Sequence, residues 1–186
     1  MSLRAELVAA ARTMRELGLV AGSSGNLSAR EGDSILITPA GLPYPELTED
    51  DLVALSPAGE LLAGSREPSS ERRVHLAVYA ARPDARALVH THSVHATAWS
   101  FGDEPLDTGT GELDDAAGGA VRTAAFAESG GQKLADACVE ALGERSAVLL
   151  RRHGVLALGS SPARALDVAA VVERQAQLAW LLRRGG

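Results

Sequence analysis

Two histidines one residue apart, His90 and His92, close an apolar run, Ala87-Leu88-Val89. Arg82-Pro83-Asp84 bounds that run upstream, so the stretch reads as the end of a short buried strand. Residues two apart on a strand point to the same face. His90 and His92 therefore project two imidazoles side by side, a geometry that a divalent cation ~2.0–2.1 Å from each nitrogen accepts. A third imidazole, His153, follows a second apolar run that ends in Leu149-Leu150-Arg151-Arg152. A lone histidine at a strand end is usually a hydrogen-bonding side chain and nothing more. The H-x-H pair with a distant third histidine favours a metal.

Three other pieces carry hydrogen-bond donors without a fixed positive charge. Val20 to Ser28 is a loop of small residues around Gly25 and Asn26, Ala40-Gly41 lies in a turn, and Ser69-Ser70-Glu71 starts a helix. Backbone N–H groups, an asparagine amide, two hydroxyls and a helix N-terminus together suit a phosphate dianion. On composition alone the first of these fits a plain connecting loop equally well. Glu71 stands beside the last, and a carboxylate in a first helical turn is held as the anion by the helix dipole. Its position alone is also that of an ordinary helix-start charge.

The elements that must position these groups follow from periodicity and turn chemistry. Leu3 to Leu17 is a helix with Leu7, Ala10 and Met14 on one face and Gly18 as its stop. Leu27–Arg30 and Ser34–Thr38 form a hairpin around Glu31-Gly32-Asp33, and Asp51–Ser56 with Glu60–Ala63 form another around Pro57-Ala58-Gly59. A helix capped by Ser69 or Ser70 buries Val74, Val78 and Ala81 and ends at Pro83. Ser93 caps a short helix through Trp99. From Phe101 to Ala127 glycines break every period, so loops with one or two short strands are expected. Gly131 to Leu142 is a helix, and Ala147–Arg151 and Gly154–Leu158 are strands flanking His153. Ser161-Pro162 opens a last helix that runs to about Arg183 and ends in Gly185-Gly186. Its apolar residues, Val171, Leu178, Trp180 and Leu181 among them, spread around the axis, which predicts burial on more than one side, and a subunit contact is one way to achieve that.

Strands paired in hairpins imply a largely antiparallel sheet with helices on its faces, an α/β class fold of three layers, α/β/α. The 186 residues suit a single domain, 1–186, that buries about 70% of its unfolded surface. With 46% hydrophobic but only 3% aromatic residues, its core is built from Ala, Val and Leu. A net charge of −6 argues against nucleic acid or an anionic membrane as partner. The single cysteine, Cys138, excludes an intrachain disulfide and reads as a small core residue in a reducing, cytoplasmic setting. Neither an export signal nor an apolar run of membrane-spanning length is evident.

Taken together, the motifs resemble the class II aldolase/adducin family, most closely its L-fuculose-1-phosphate aldolase branch. The resemblance is carried by Gly25-Asn26-Leu27-Ser28, Leu36-Ile37-Thr38-Pro39-Ala40-Gly41, Pro68-Ser69-Ser70-Glu71, Arg82-Pro83-Asp84, the run from Val89 to Thr97, and His153-Gly154. It implies a divalent metal, usually Zn²⁺ with Mn²⁺ or Co²⁺ as alternatives, on Glu71, His90, His92 and His153. Glu71 doubles as general acid/base once substrate displaces it. Gly25, Asn26, Gly41, Ser69 and Ser70 match positions that hold the substrate phosphate, and Ala40 stands where a hydroxyl residue is common. His95 is read as structural. The implied reaction cleaves a ketose 1-phosphate, through a metal-stabilised enediolate, to dihydroxyacetone phosphate and an aldehyde. Sibling lyases on the same scaffold dehydrate sugar phosphates or decarboxylate 3-oxo-acid phosphates. A non-catalytic adducin-like interaction domain is opposed by the retained histidines and Glu71.

The resemblance also implies a homotetramer with sites at subunit boundaries. The family's catalytic tyrosine is missing from the matching stretch Gly111-Glu112-Leu113, and Phe126 occupies a second aromatic position. Glu112 or Asp114 is the candidate replacement for the tyrosine. The sequence stops soon after the last helix, where longer relatives have a tail over the active site.

Overall fold

The computed structural model describes residues 1–184. Gly185-Gly186, expected to close the last helix, lie outside the described residues. Eight strands form one sheet in the order β4-β3-β2-β1-β5-β8-β7-β6. They are β1 (Asn26–Glu31), β2 (Ser34–Ile37), β3 (Val53–Leu55), β4 (Leu61–Ala63), β5 (Ala87–Thr91), β6 (Thr123–Ala124), β7 (Ala147–Leu150) and β8 (Gly154–Gly159). All pairings are antiparallel except that of β6 with β7. The two expected hairpins, β1–β2 and β3–β4, form as the turn residues indicate.

Helices cover both faces. On one lie α2 (Arg72–Ala81) and α5 (Gln132–Leu142); on the other lie α1 (Leu3–Glu16), α3 (Val94–Trp99), α4 (Gly111–Ala117) and α6 (Pro162–Arg184). Strand alternation sorts the side chains. In β5, Ala87 and Val89 join the α1/α6 core, while Leu88 joins the α2/α5 core. His90 continues the Leu88 side. In β1, Leu27 and Ala29 face α1 and α6, and Asn26 and Ser28 face α2. Cys138 packs in the α2/α5 core, where burial pushes its thiol up to about 12. No described helix is long and apolar enough to cross a membrane.

Several local expectations are corrected. Residues 111–117 are helical rather than loop. Thr110 accepts from the N–H of Leu113 at 3.4 Å, and Gly118 ends the helix at φ 81°, a left-handed conformation that glycine adopts without penalty. Neither serine caps α2. Glu71 holds the N-cap position, and Ser69 Oγ accepts from the Glu71 N–H at 3.2 Å. Ala81 is exposed, and the buried stripe of α2 is Val74, His75, Val78 and Tyr79. Ser93 makes no cap bond to the helix it precedes; Glu173 of α6 accepts from the N–H groups of His95 and Ala96 instead. The last helix is buried along Ala165, Val168, Ala169, Val172 and Ala176, while Trp180, Leu181 and Leu182 are exposed.

Candidate metal centre and anion pocket

His90 lies in β5, between β1 and β8, opposite Asn26 on one side and Leu156 on the other. His92 follows just past the strand end. His153 sits in the tight β7–β8 turn, where its N–H bonds to the Leu150 carbonyl at 3.0 Å and Arg152 takes a left-handed φ of 57°. Two glycines let these segments approach. A Cβ at Gly154 would lie 2.1 Å from the Thr91 carbonyl oxygen, and one at Gly25 would lie 2.6 Å from that of His90. A side chain at either position would push the third histidine or the small-residue loop away from β5.

The three rings form a near-equilateral triangle, with centroids 4.8, 4.8 and 4.9 Å apart. Nε2 of His90 is 2.9 Å from Nε2 of His92. Glu71 reaches in from the start of α2, with Oε2 2.9 Å from His90 Nε2 and Oε1 3.2 Å from His153 Nε2. The ligand atoms of these four residues all lie within 4.8 Å of one another.

Protonation follows from the partners. His90 places Nδ1 2.8 Å from the Val155 carbonyl, so Nδ1 carries the donated hydrogen and Nε2 is the nitrogen turned toward the cluster. Burial, with His90 and His153 beside it, lowers His92 to about 4. Burial and His90 also lower His153. Burial alone would raise the Glu71 carboxyl, but His90, His153 and the Ser129 hydroxyl together hold it well below the usual carboxylate range. Burial would likewise lower His90, and Glu71 outweighs it. Ring nitrogens and a carboxylate converging on one point favour a positive charge among them, which is why Glu71 raises His90. A donor set of three imidazoles, which a bound cation would hold in their neutral form, and one carboxylate fits a divalent metal ion.

Beside this cluster is a cleft lined by Gly25, Asn26, Gly41, Ser69, Ser70 and Glu71, with His92 and His153 also in its lining. The five residues expected at a phosphate are thus gathered in one place, next to the imidazoles. Ser23, Ser24, Pro39, Ala40 and Ser129 complete the lining, which contains neither Lys nor Arg. The Asn26 amide donates to Glu71 Oε2 at 3.0 Å, and Tyr44 holds the loop by donating to the Gly25 carbonyl at 2.7 Å.

Three residues of this site are absent from the sequence reading. Ser129 donates to Glu71 Oε1 at 2.7 Å. Its signal was a run of small residues before a helix, Ser129-Gly130-Gly131, the same signal that picks out Ser69-Ser70. His75 contacts Asn26, and its only signal was a position one helical turn after Glu71. Tyr44 carried none.

The remaining candidates lie elsewhere. Glu112 accepts from Gln175 Nε2 at 2.6 Å on α4, and neither it nor Asp114 lines the cleft. Phe126 is exposed, 5.7 Å from the Arg152 guanidinium. His95 pairs with Glu173 at 2.7 Å, away from the triangle.

Comparison with known proteins agrees with this geometry. The profile of the class II aldolase and adducin N-terminal domain matches residues 5–180. The chain belongs to the class II aldolase family. L-fuculose phosphate aldolase of Escherichia coli O6:H1 is 41% identical over 165 residues, which is 89% of this chain and 76% of that protein. The 5-methylthioribulose-1-phosphate/5-deoxyribulose-1-phosphate aldolase of Rhodospirillum rubrum is 38% identical over 179 residues, 96% of this chain and 80% of its own. Among solved structures, an L-fuculose 1-phosphate aldolase superposes with a TM-score of 0.94 at 33% identity, covering 99% of this chain and 87% of that one. Class II aldolases are divalent-metal enzymes, and this class II aldolase keeps a Glu/His cluster able to bind such an ion.

Proposed function

We propose that this class II aldolase cleaves a ketose 1-phosphate, of the kind named for its relatives, to dihydroxyacetone phosphate and an aldehyde. The carrying observation is one cleft whose lining joins Glu71, His92 and His153 of the four-residue cluster to neutral donors from Gly25, Asn26, Gly41, Ser69 and Ser70. An anion seated on those donors presents the neighbouring carbonyl to the cluster. His90, His92, His153 and Glu71 hold the metal, taken as Zn²⁺. When bound, the ion supplies Lewis acidity that stabilises negative charge next to the breaking bond.

The protein's own residues do the rest. The anion pocket fixes which carbon lies beside Glu71, so proximity supplies much of the rate. Asn26 and Ser129 orient the Glu71 carboxylate. Substrate that displaces Glu71 from the cation would raise its proton affinity. Glu71 then takes a proton from solvent and delivers it to C3, the carbon that has lost its bond, while the C4 hydroxyl gives up its own proton to a base. Glu112 and Asp114 lie outside the cleft of their own chain, so either can take the proton from the C4 hydroxyl, whose oxygen becomes the aldehyde oxygen as the C3–C4 bond breaks, only from a neighbouring subunit. That is consistent with a homotetramer of single-domain chains with shared sites, working in the cytoplasm.

The test is release of dihydroxyacetone phosphate, in a coupled assay, from a panel that includes L-fuculose, 5-methylthioribulose and 5-deoxyribulose 1-phosphates. Cleavage of at least one supports the reading. Dehydrated or decarboxylated products, or no turnover by metal-loaded protein, contradict it.

A further inference from the structure

Behind Glu71 lies a polar layer of which the chemistry above uses only Asn26. It joins Asn26 and Ser28 of β1 to His75 and Tyr79 of α2, and these four residues are between 0% and 4% exposed. Each contact has a direction set by its neighbour. The Glu71 carboxylate can only accept, so the Asn26 group facing it at 3.0 Å is the NH2. The Asn26 oxygen therefore points the other way, 2.5 Å from His75 Nε2, and requires that nitrogen to carry a hydrogen. Burial keeps the His75 ring neutral, lowering it to about 3, which leaves Nδ1 as a bare acceptor. The Ser28 hydroxyl, 2.6 Å away, donates to Nδ1. The Ser28 oxygen then accepts from the Tyr79 hydroxyl at 2.9 Å. The four bonds run one way, from Tyr79 through Ser28, His75 and Asn26 to Glu71, and aligned bonds of this kind reinforce one another.

We propose that His75 is a positioning residue: by donating from Nε2 to the Asn26 oxygen, it turns the Asn26 NH2 toward the cleft, with one hydrogen on Glu71 and the other presented to the anion pocket. The opposite amide orientation sets oxygen against carboxylate and takes a donor from the pocket, so a fixed orientation matters to both halves of the site. The proposal rests on reading that pocket as an anion site. Position supports it, since His75 follows Glu71 by four residues and so lies one helical turn along the same face, with Asn26 bridging the two.

Two measurements test it. In ligand-free wild-type protein, nitrogen-15 NMR should show His75 as the neutral Nε2–H form between pH 5.5 and 8; an Nδ1–H ring or an imidazolium overturns the proposal. In metal-loaded protein, His75→Leu should weaken binding of inorganic phosphate about tenfold, the scale of one hydrogen bond to an ion. His75→Gln, which offers an NH2 and a carbonyl, should stay within about threefold. Leucine binding as tightly as wild type, or equal losses in both variants, overturns it as well. Wild-type protein that binds no phosphate overturns the anion pocket and the outward half of this proposal. The tautomer, read without ligand, tells that failure apart from a failure of His75.

Discussion

Two histidines of neighbouring segments each meet a carboxylate, and the two pairs differ in kind. His90 meets Glu71 at 2.9 Å with side chains 2% and 8% exposed, and His95 meets Glu173 at 2.7 Å with side chains 35% and 17% exposed. Glu173 faces donors: the N–H groups of His95 and Ala96, and the His95 ring. Its hydrogen bonds close, and the result is a joint that ties α6 to the start of α3. Around Glu71 the balance does not close. His90 spends its Nδ1 hydrogen on Val155 and turns Nε2 inward, toward a carboxylate and a second imidazole. The contrast shows that a histidine beside a carboxylate does not make a site. Acceptors that converge with too few hydrogens to satisfy them do.

The largest predicted difference between the regions is catalytic. Glu71→Gln should lower kcat by about 10²–10⁴-fold, the range of a lost general acid/base, while the three histidines still retain metal. Near wild-type turnover in that variant would remove the role given to Glu71. Glu173→Gln should leave kcat within about threefold, because it touches no cleft residue, and should cost about 1 kcal/mol of stability as a weakened cap. Thermal unfolding and steady-state kinetics on the same samples separate the two; a large kcat loss without a fall in Tm would merge the regions. Ser129→Ala removes one charge-assisted bond to Glu71 and should cost about tenfold in kcat/KM.

The smallest effect concerns pH. In metal-free protein, His75, His92 and His153 have pKa values below the ordinary 6.5, with His75 near 3 and His92 near 4. Between pH 6.5 and about 4 the unfolded chain binds protons that the folded chain refuses, so stability falls as pH falls through that window. Below about 4.5 Glu71 and Glu173, both lowered, add losses of the same sign. His90 is raised by Glu71, and its contribution is lost only as pH rises above 6.5. A Tm that climbs from pH 6.5 down to 4.5 would contradict this arrangement.

Residues close to one another in the chain were readable in the sequence. His90 and His92 share a face because strands repeat every two residues, and the hairpins follow from their turn residues. The gathering of Gly25, Gly41 and Ser69 with His153 was inferred by resemblance, since no local rule links segments so far apart. Ser129 and His75 bond across 58 and 49 residues, beyond any local rule. His75 was further hidden by its place on an apolar helix face, where spacing favoured Ala81. Helix α4 went unseen because Gly109, Gly111, Gly118 and Gly119 break the apolar period. Seven residues held by Thr110 at one end and Gly118 at the other are too few to restore it.

The most direct measurement is the metal content of purified protein, by elemental analysis, beside that of His92→Ala. About one equivalent per chain in the wild type, falling sharply in the variant, is the predicted result for a four-residue centre. Less than about a tenth of an equivalent in the wild type, unrestored by added Zn²⁺, Mn²⁺ or Co²⁺, would contradict it.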